Sequence, residues 1–195
     1  MKKIYVNIIL VSVFAYCQLS FSQHTYEREF RIRKSQFPSV AHTIIKDNIE
    51  GAKHLKFYQE TDSNKISFKA KLKKDKLWYT IEFDKKGTLE KINILINSTD
   101  IPNDTYSNIE SYLNNNFSKY KIKKLKQQYY SNSDTLEESF KNAFQNLILP
   151  SNMYEVVIVG KKEKGFLDYD LQFDADGNFK KMRTSLPSNY DHVLY

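Results

Sequence analysis

The stretch Leu77-Trp-Tyr-Thr-Ile-Glu-Phe-Asp-Lys-Lys-Gly-Thr-Leu-Glu-Lys-Ile92 has a second version in this chain, Leu167-Asp-Tyr-Asp-Leu-Gln-Phe-Asp-Ala-Asp-Gly-Asn-Phe-Lys-Lys-Met182. Tyr79 answers to Tyr169, Phe83 to Phe173, Asp84 to Asp174, Gly87 to Gly177 and Ile92 to Met182, with no gap. In both, large apolar residues alternate with polar ones, which places one set on a buried face and the other toward water. The following Asp-x-x-Gly is turn chemistry, because Asp bonds its own backbone and Gly accepts positive φ. Each copy therefore reads as a β-hairpin, and the chain as a tandem arrangement. Asp174-Ala-Asp176-Gly-Asn178 resembles the start of a calcium loop. The EF-hand register wants Gly at its sixth place and Glu at its twelfth, however. Here Gly177 is fourth and Ser185 twelfth, and the first copy carries Lys85 and Lys86, so a plain turn is expected.

The chain opens Met-Lys2-Lys3, runs apolar from Ile4 to Ala15 and reaches Ser20-Phe21-Ser22, the signature of a secretory signal peptide over 1–22 cut before Gln23. An uncleaved anchor is the competing reading, although the run is short for a bilayer span. Cys17 is the only cysteine and leaves with the signal, so the mature core holds without disulfides. Losing Lys2 and Lys3 lowers the formal charge from +7 to +5. The remaining lysines are spread along strands and loops, not grouped with aromatics as nucleic-acid binders group them, and nucleic acid is excluded as a partner. The plain reading is a solvated basic surface; the sharper one is weak attraction to acidic envelope polymers or an acidic partner. A periplasmic or secreted location follows.

Gln23 to Gln36 is a charged lead-in, a short strand or an arm. Phe37-Pro38-Ser39 opens a helix with an apolar stripe of Val40, Ile44 and Ile45, stopped by Gly51. Strands follow at Lys53 to Glu60 and at Ile66 to Leu72, then the first hairpin, ending near Ile96. After a linker containing Pro102, Tyr106, Ile109, Leu113 and Phe117 repeat a helical stripe, and Lys121 to Tyr130 is a strand. A helical insert at 134–149 is capped by Asp134 and stopped by Pro150. Met153 to Gly160 and the second hairpin close the chain, with Phe179 to Thr184 as last strand and Ser185 to Tyr195 as a tail. The expected fold class is α+β: a tandem repeat of one helix plus a four-stranded antiparallel sheet, over 23–100 and 101–195. Edge strands of the two units could join into one longer sheet.

No catalytic residue is assigned. The four histidines have no second ligand at metal spacing, so no metal and no cofactor are expected. No nucleophile elbow, phosphate loop or dinucleotide fingerprint occurs. Glu82, Asp168 and Asp170 fall on polar strand faces, where a solvated face is the expectation and a hydrolase built from dispersed carboxylates the alternative. Parity sends Trp78 away from the helix, beside Lys69, Lys71 and Thr80. These four are the candidate binding residues, with Trp78 as anchor unless another part of the chain covers it.

The paired Tyr79-Thr-Ile-Glu-Phe-Asp-Lys-Lys-Gly and Tyr169-Asp-Leu-Gln-Phe-Asp-Ala-Asp-Gly, each after a helix and strands, resemble the PepSY-like, beta-lactamase-inhibitor-like family of exported Bacteroidetes proteins. The resemblance implies helix-plus-four-strand units forming a curved sheet whose face clamps a protein. The secreted lactamase inhibitor uses disulfides, which this chain lacks, and no inhibitory residue carries over. The expected function is an exported, non-catalytic binding or inhibitor-like module with a protein partner in the cell envelope. A structural envelope protein that binds acidic polymers is a further alternative.

Overall fold

Among the described residues nine strands follow one another across a single sheet in the order in which they occur along the chain, every neighbour antiparallel. The structure is a computed structural model, and it describes residues 27–62, 65–131, 135–163 and 165–185. The strands are β1 (Glu27–Ile32), β2 (Lys53–Asp62), β3 (Lys65–Lys74), β4 (Leu77–Asp84), β5 (Leu89–Ile96), β6 (Lys119–Tyr130), β7 (Met153–Lys162), β8 (Gly165–Asp174) and β9 (Phe179–Ser185). Helix α1 (Ser39–Asn48) lies between β1 and β2, α2 (Asn103–Asn116) between β5 and β6, and α3 (Leu136–Phe144) between β6 and β7. The signal segment, the Asp134 cap and the tail from residue 186 lie outside the described residues.

The two hairpins form as the alternation predicts. Tyr79, Ile81 and Phe83 are buried, as are Tyr169, Leu171 and Phe173. Their turns match bond for bond. Asp84 Oδ1 accepts from the N–H of Lys86 and Thr88, both at 2.8 Å. Asp174 Oδ1 accepts from Asp176 N–H at 3.1 Å and Asn178 N–H at 2.8 Å. Gly87 (φ +88°) and Gly177 (φ +84°) take the left-handed position. Both hairpins also carry a register shift at the same place, Glu82/Phe83 and Gln172/Phe173.

These turns tuck under helices. A Cβ on Gly87 would sit 3.0 Å from Ala41 N in the first turn of α1; one on Gly177 would sit 2.4 Å from the Thr105 carbonyl in α2. The helices bury Ala41, Ile45, Ile109, Leu113, Phe140 and Ala143 against one face of the sheet, where Leu72, Ile92, Ile94, Val156 and Ile158 are fully enclosed. Phe37 meets Phe83 edge-on at 5.8 Å, and Tyr112 meets Phe173 the same way at 5.5 Å. Each fully buried aliphatic side chain contributes roughly 1.5–3 kcal/mol from burial.

The structure departs from the sequence reading at several boundaries. The lead-in is a true strand: β1 pairs with β2 from Glu27↔Asp62 to Ile32↔Phe57. Helix α3 starts at Thr135, whose hydroxyl accepts from Glu138 N–H while Glu138 Oε2 accepts from Thr135 N–H at 2.9 Å. It ends at Phe144, before Pro150, because Asn146 turns the chain at φ +50°. The edge strands of the two units join into one longer sheet, as the sequence reading allowed. β5 and β6 pair from Lys91↔Tyr130 to Ile96↔Leu125 and make it continuous.

Candidate functional site: the polar face of the sheet

The second residue set of each strand projects from the face opposite the helices. From β2 to β8 it includes Glu60, Lys69, Glu82, Asn93, Gln128, Glu155 and Gln172, joined across strands in register. Lys69 Nζ donates to Glu60 Oε1 at 2.5 Å and stands 3.5 Å from Glu29 and 3.9 Å from Glu82. Lys71 Nζ bonds Glu29 and lies 4.6 Å over the Tyr58 ring. Lys91 stands 3.4 Å from Glu82, and Lys126 pairs with Glu155 at 2.8 Å.

Amides link these ion pairs. Asn93 Nδ2 donates to Glu82 Oε1 at 2.7 Å. Gln128 Nε2 donates to Asn93 Oδ1 at 2.9 Å and to Glu155 Oε2 at 2.7 Å. Gln172 Nε2 donates to Gln128 Oε1 and to the Tyr130 hydroxyl, both at 2.7 Å. Arg183 Nε on β9 donates to Asp170 Oδ2 at 2.9 Å.

One contact sets the shape of the face. Arg183 Nη1 stands 3.5 Å from Asp62 Oδ2 at the end of β2. Seven strand spacings separate β2 from β9, roughly 33 Å on a flat sheet at about 4.8 Å each. Two side chains do not span that distance, so the sheet curls and the polar face is its concave side.

Enclosure determines the charge states. Burial lowers the Lys69 ammonium, but Glu82, Glu60 and Glu29 outweigh it and the group is held well above the ordinary lysine range. Burial pushes the Glu155 carboxyl up; Lys126 and Lys91 override it and hold the group down at about 2. Burial pushes Asp170 above its ordinary range, only partly opposed by Arg183. Lys124 is pushed down by burial and then by Lys126 and Lys71. The expected solvated face is thus corrected. The Glu82 and Asp170 side chains are only 12% and 11% exposed, because strand register sets Lys69 and Lys91 beside Glu82 and Arg183 beside Asp170.

All four candidate binding residues lie on this face. Thr80 partners Lys71 and Asn93, and Lys69 partners Glu82. Trp78 partners Lys73 and Leu95, with Lys73 Nζ 5.6 Å above its ring and the His54 ring 5.9 Å away. Trp78 is half-buried, and Lys69 and Lys71 are tied into ion pairs. Sequence reasoning missed Asn93, Gln128, Glu155 and Gln172. Their signal was the Gln127-Gln128 pair inside a strand, where adjacent residues face opposite ways and both are fully buried. At the calcium-like turn, Asp174 Oδ2 accepts from Asn178 Nδ2 and Lys180 Nζ, so both carboxylate oxygens serve the turn. Among the described residues no group of three His, Cys, Asp or Glu is placed to hold a metal.

Neither a protein family nor a curated protein matches the sequence. Solved structures do match. A BLIP-like protein from Bacteroides fragilis aligns with a TM-score of 0.53 and 15% identity over 80% of this chain and 92% of that one. A DUF2874 family protein from Bacteroides ovatus aligns at 0.53 with 9% identity, over 75% and 86%. This chain has the BLIP-like fold. A Bacteroides eggerthii protein assigned to the periplasm shares it, at 0.53 with 9% identity over 75% and 88%. Among the described residues of this BLIP-like chain no helix is long and apolar enough to cross a membrane.

Proposed function

We propose that this protein is an exported, non-catalytic binding module of the cell envelope that seats a protein partner in its concave polar face, with Trp78 as anchor. The observation that carries this reading is the internal matching of charge on that face. Glu60, Glu82, Glu155 and Asp170 are each bound to a lysine or arginine. A face whose side chains are already ordered loses little conformational freedom when a partner docks. Location in the periplasm, the cleaved signal peptide and inhibitor-like action belong to the same proposal, supported by the fold shared with BLIP-like and periplasmic proteins. So does a PepSY-like origin by doubling, with units at 23–100 and 101–195. The matched turn bonds and glycine positions of the two hairpins support it.

The test is capture from periplasmic extract with wild type, Trp78→Ala, Thr80→Arg and, on the helix side, Val40→Arg. The reading requires a species lost with the first two variants and kept by the third. Equal recovery by all four removes the face from the claim.

One observation favours a hydrolase. Asp170 is pushed up while neighbouring Glu155 is pushed down, the divergence that separates an acid from a base. Against it, each carboxylate is engaged by its own cation. Hydrolysis of glycosidic or ester substrates that Asp170→Asn abolishes would establish that reading instead.

A further inference from the structure

We infer a second interaction surface, at the end of the sheet where β6 begins and the β7–β8 hairpin turns, and propose that it docks on an anionic lipid bilayer. Lys119, Lys121 and Lys123 stand exposed along the start of β6. Lys119 faces Lys161 across β6–β7, and Lys161 faces Phe166 across β7–β8, which sets all three in one row on the sheet. Phe166 is 57% exposed and Leu167, next to it, 40%. The Lys161 ammonium lies 6.0 Å over the Phe166 ring. On the other face of the hairpin, Lys162 caps the buried Phe117 ring at 4.7 Å.

Two contrasts mark this end of the molecule. Lys69, Lys71, Lys91 and Lys126 are neutralised by carboxylates, as are Lys65 and Lys180. None of Lys119, Lys121, Lys123 and Lys161 lies in an ion pair among the described residues. The nearby acids are exposed Glu163 in the turn, half-buried Asp168, and Glu110, which acts on Tyr120. The second contrast is apolar. Phe166 and Leu167 are adjacent and exposed at the hairpin end, Phe166 on the face of Lys119 and Lys161 and Leu167 on the opposite face beside Gly160. An acidic polymer in water would satisfy the lysines and leave both side chains wet. A bilayer interface takes the charges at its headgroups and the apolar pair just below them.

The test is sedimentation of the exported protein with vesicles of phosphatidylglycerol and phosphatidylcholine in equal parts, against phosphatidylcholine alone. Binding to the anionic vesicles only, weakening in high salt, is expected. K119E/K161E lowers the affinity by roughly tenfold or more, and F166S/L167S lowers it several-fold. K85E/K86E, the same charge change at the β4–β5 turn, leaves it unchanged. Should a double variant melt early, K161E and F166S singly carry the same comparison. No affinity for anionic vesicles, or equal loss with K85E/K86E, overturns the proposal. Binding untouched by F166S/L167S also overturns it and assigns the lysines to a soluble polyanion.

Discussion

Gly177 shows how much one residue fixes. Its φ of +84° lies in the left-handed region, and a Cβ would meet the Thr105 carbonyl at 2.4 Å. Gly177→Ala is expected to destabilise by about 2 kcal/mol or more in denaturant melts. Gly87→Ala will cost less, because its nearest contact is 3.0 Å. Glu155 supplies a pH signature. Its carboxyl is held at about 2 against an ordinary 4.5, so its stabilisation is complete above about 4.5 and is lost as pH falls toward 2. At roughly 1.4 kcal/mol per pH unit this comes to about 3–4 kcal/mol. Glu155→Gln will flatten the acid limb of the stability curve over that window, read by urea melts at stepped pH. The inward residues of both hairpins were legible because burial obeys a period of two. The partners of Glu155 were not, because Lys126 and Gln128 meet it only after β6 and β7 pair.

At the level of elements, boundaries set by one residue were legible and those set by competition were not. Gly87 and Gly177 marked their turns. The sequence reading placed the cap of α3 at Asp134, and the reciprocal bonds between Thr135 and Glu138 move it to Thr135. Thr135→Ala is expected to cost about 1 kcal/mol and to speed amide exchange in α3 ahead of the strands. The lead-in was ambiguous for a different reason. β1 is an edge strand of mixed charge, and only its register with β2, which sets Arg31 against Tyr58 and Ile32 against Phe57, reveals it as sheet. The curl had no signal in any one strand, because it is a property of nine strands together; only the family resemblance implied a curved sheet.

For the whole molecule, the continuous sheet is expected to couple the two halves. Ile92, Ile94 and Ile96 on β5 are buried beside Leu125 and Tyr129 on β6. Thermal unfolding should therefore be one transition, with calorimetric and van't Hoff enthalpies equal. Residues 23–100 made alone will expose the β5 edge and self-associate in size-exclusion chromatography. Two separate transitions would show instead that the units at 23–100 and 101–195 are autonomous.

The order of the strands has a further consequence. Because each strand bonds only to those made just before and just after it, no pairing waits for a distant part of the polypeptide. A chain delivered amino end first through a translocation pore can lay down its sheet progressively, one strand at a time. Pairing confined to neighbouring strands favours assembly over pairing between distant ones, which would suit the export proposed above, with folding finished beyond a membrane and no cystine to lock it.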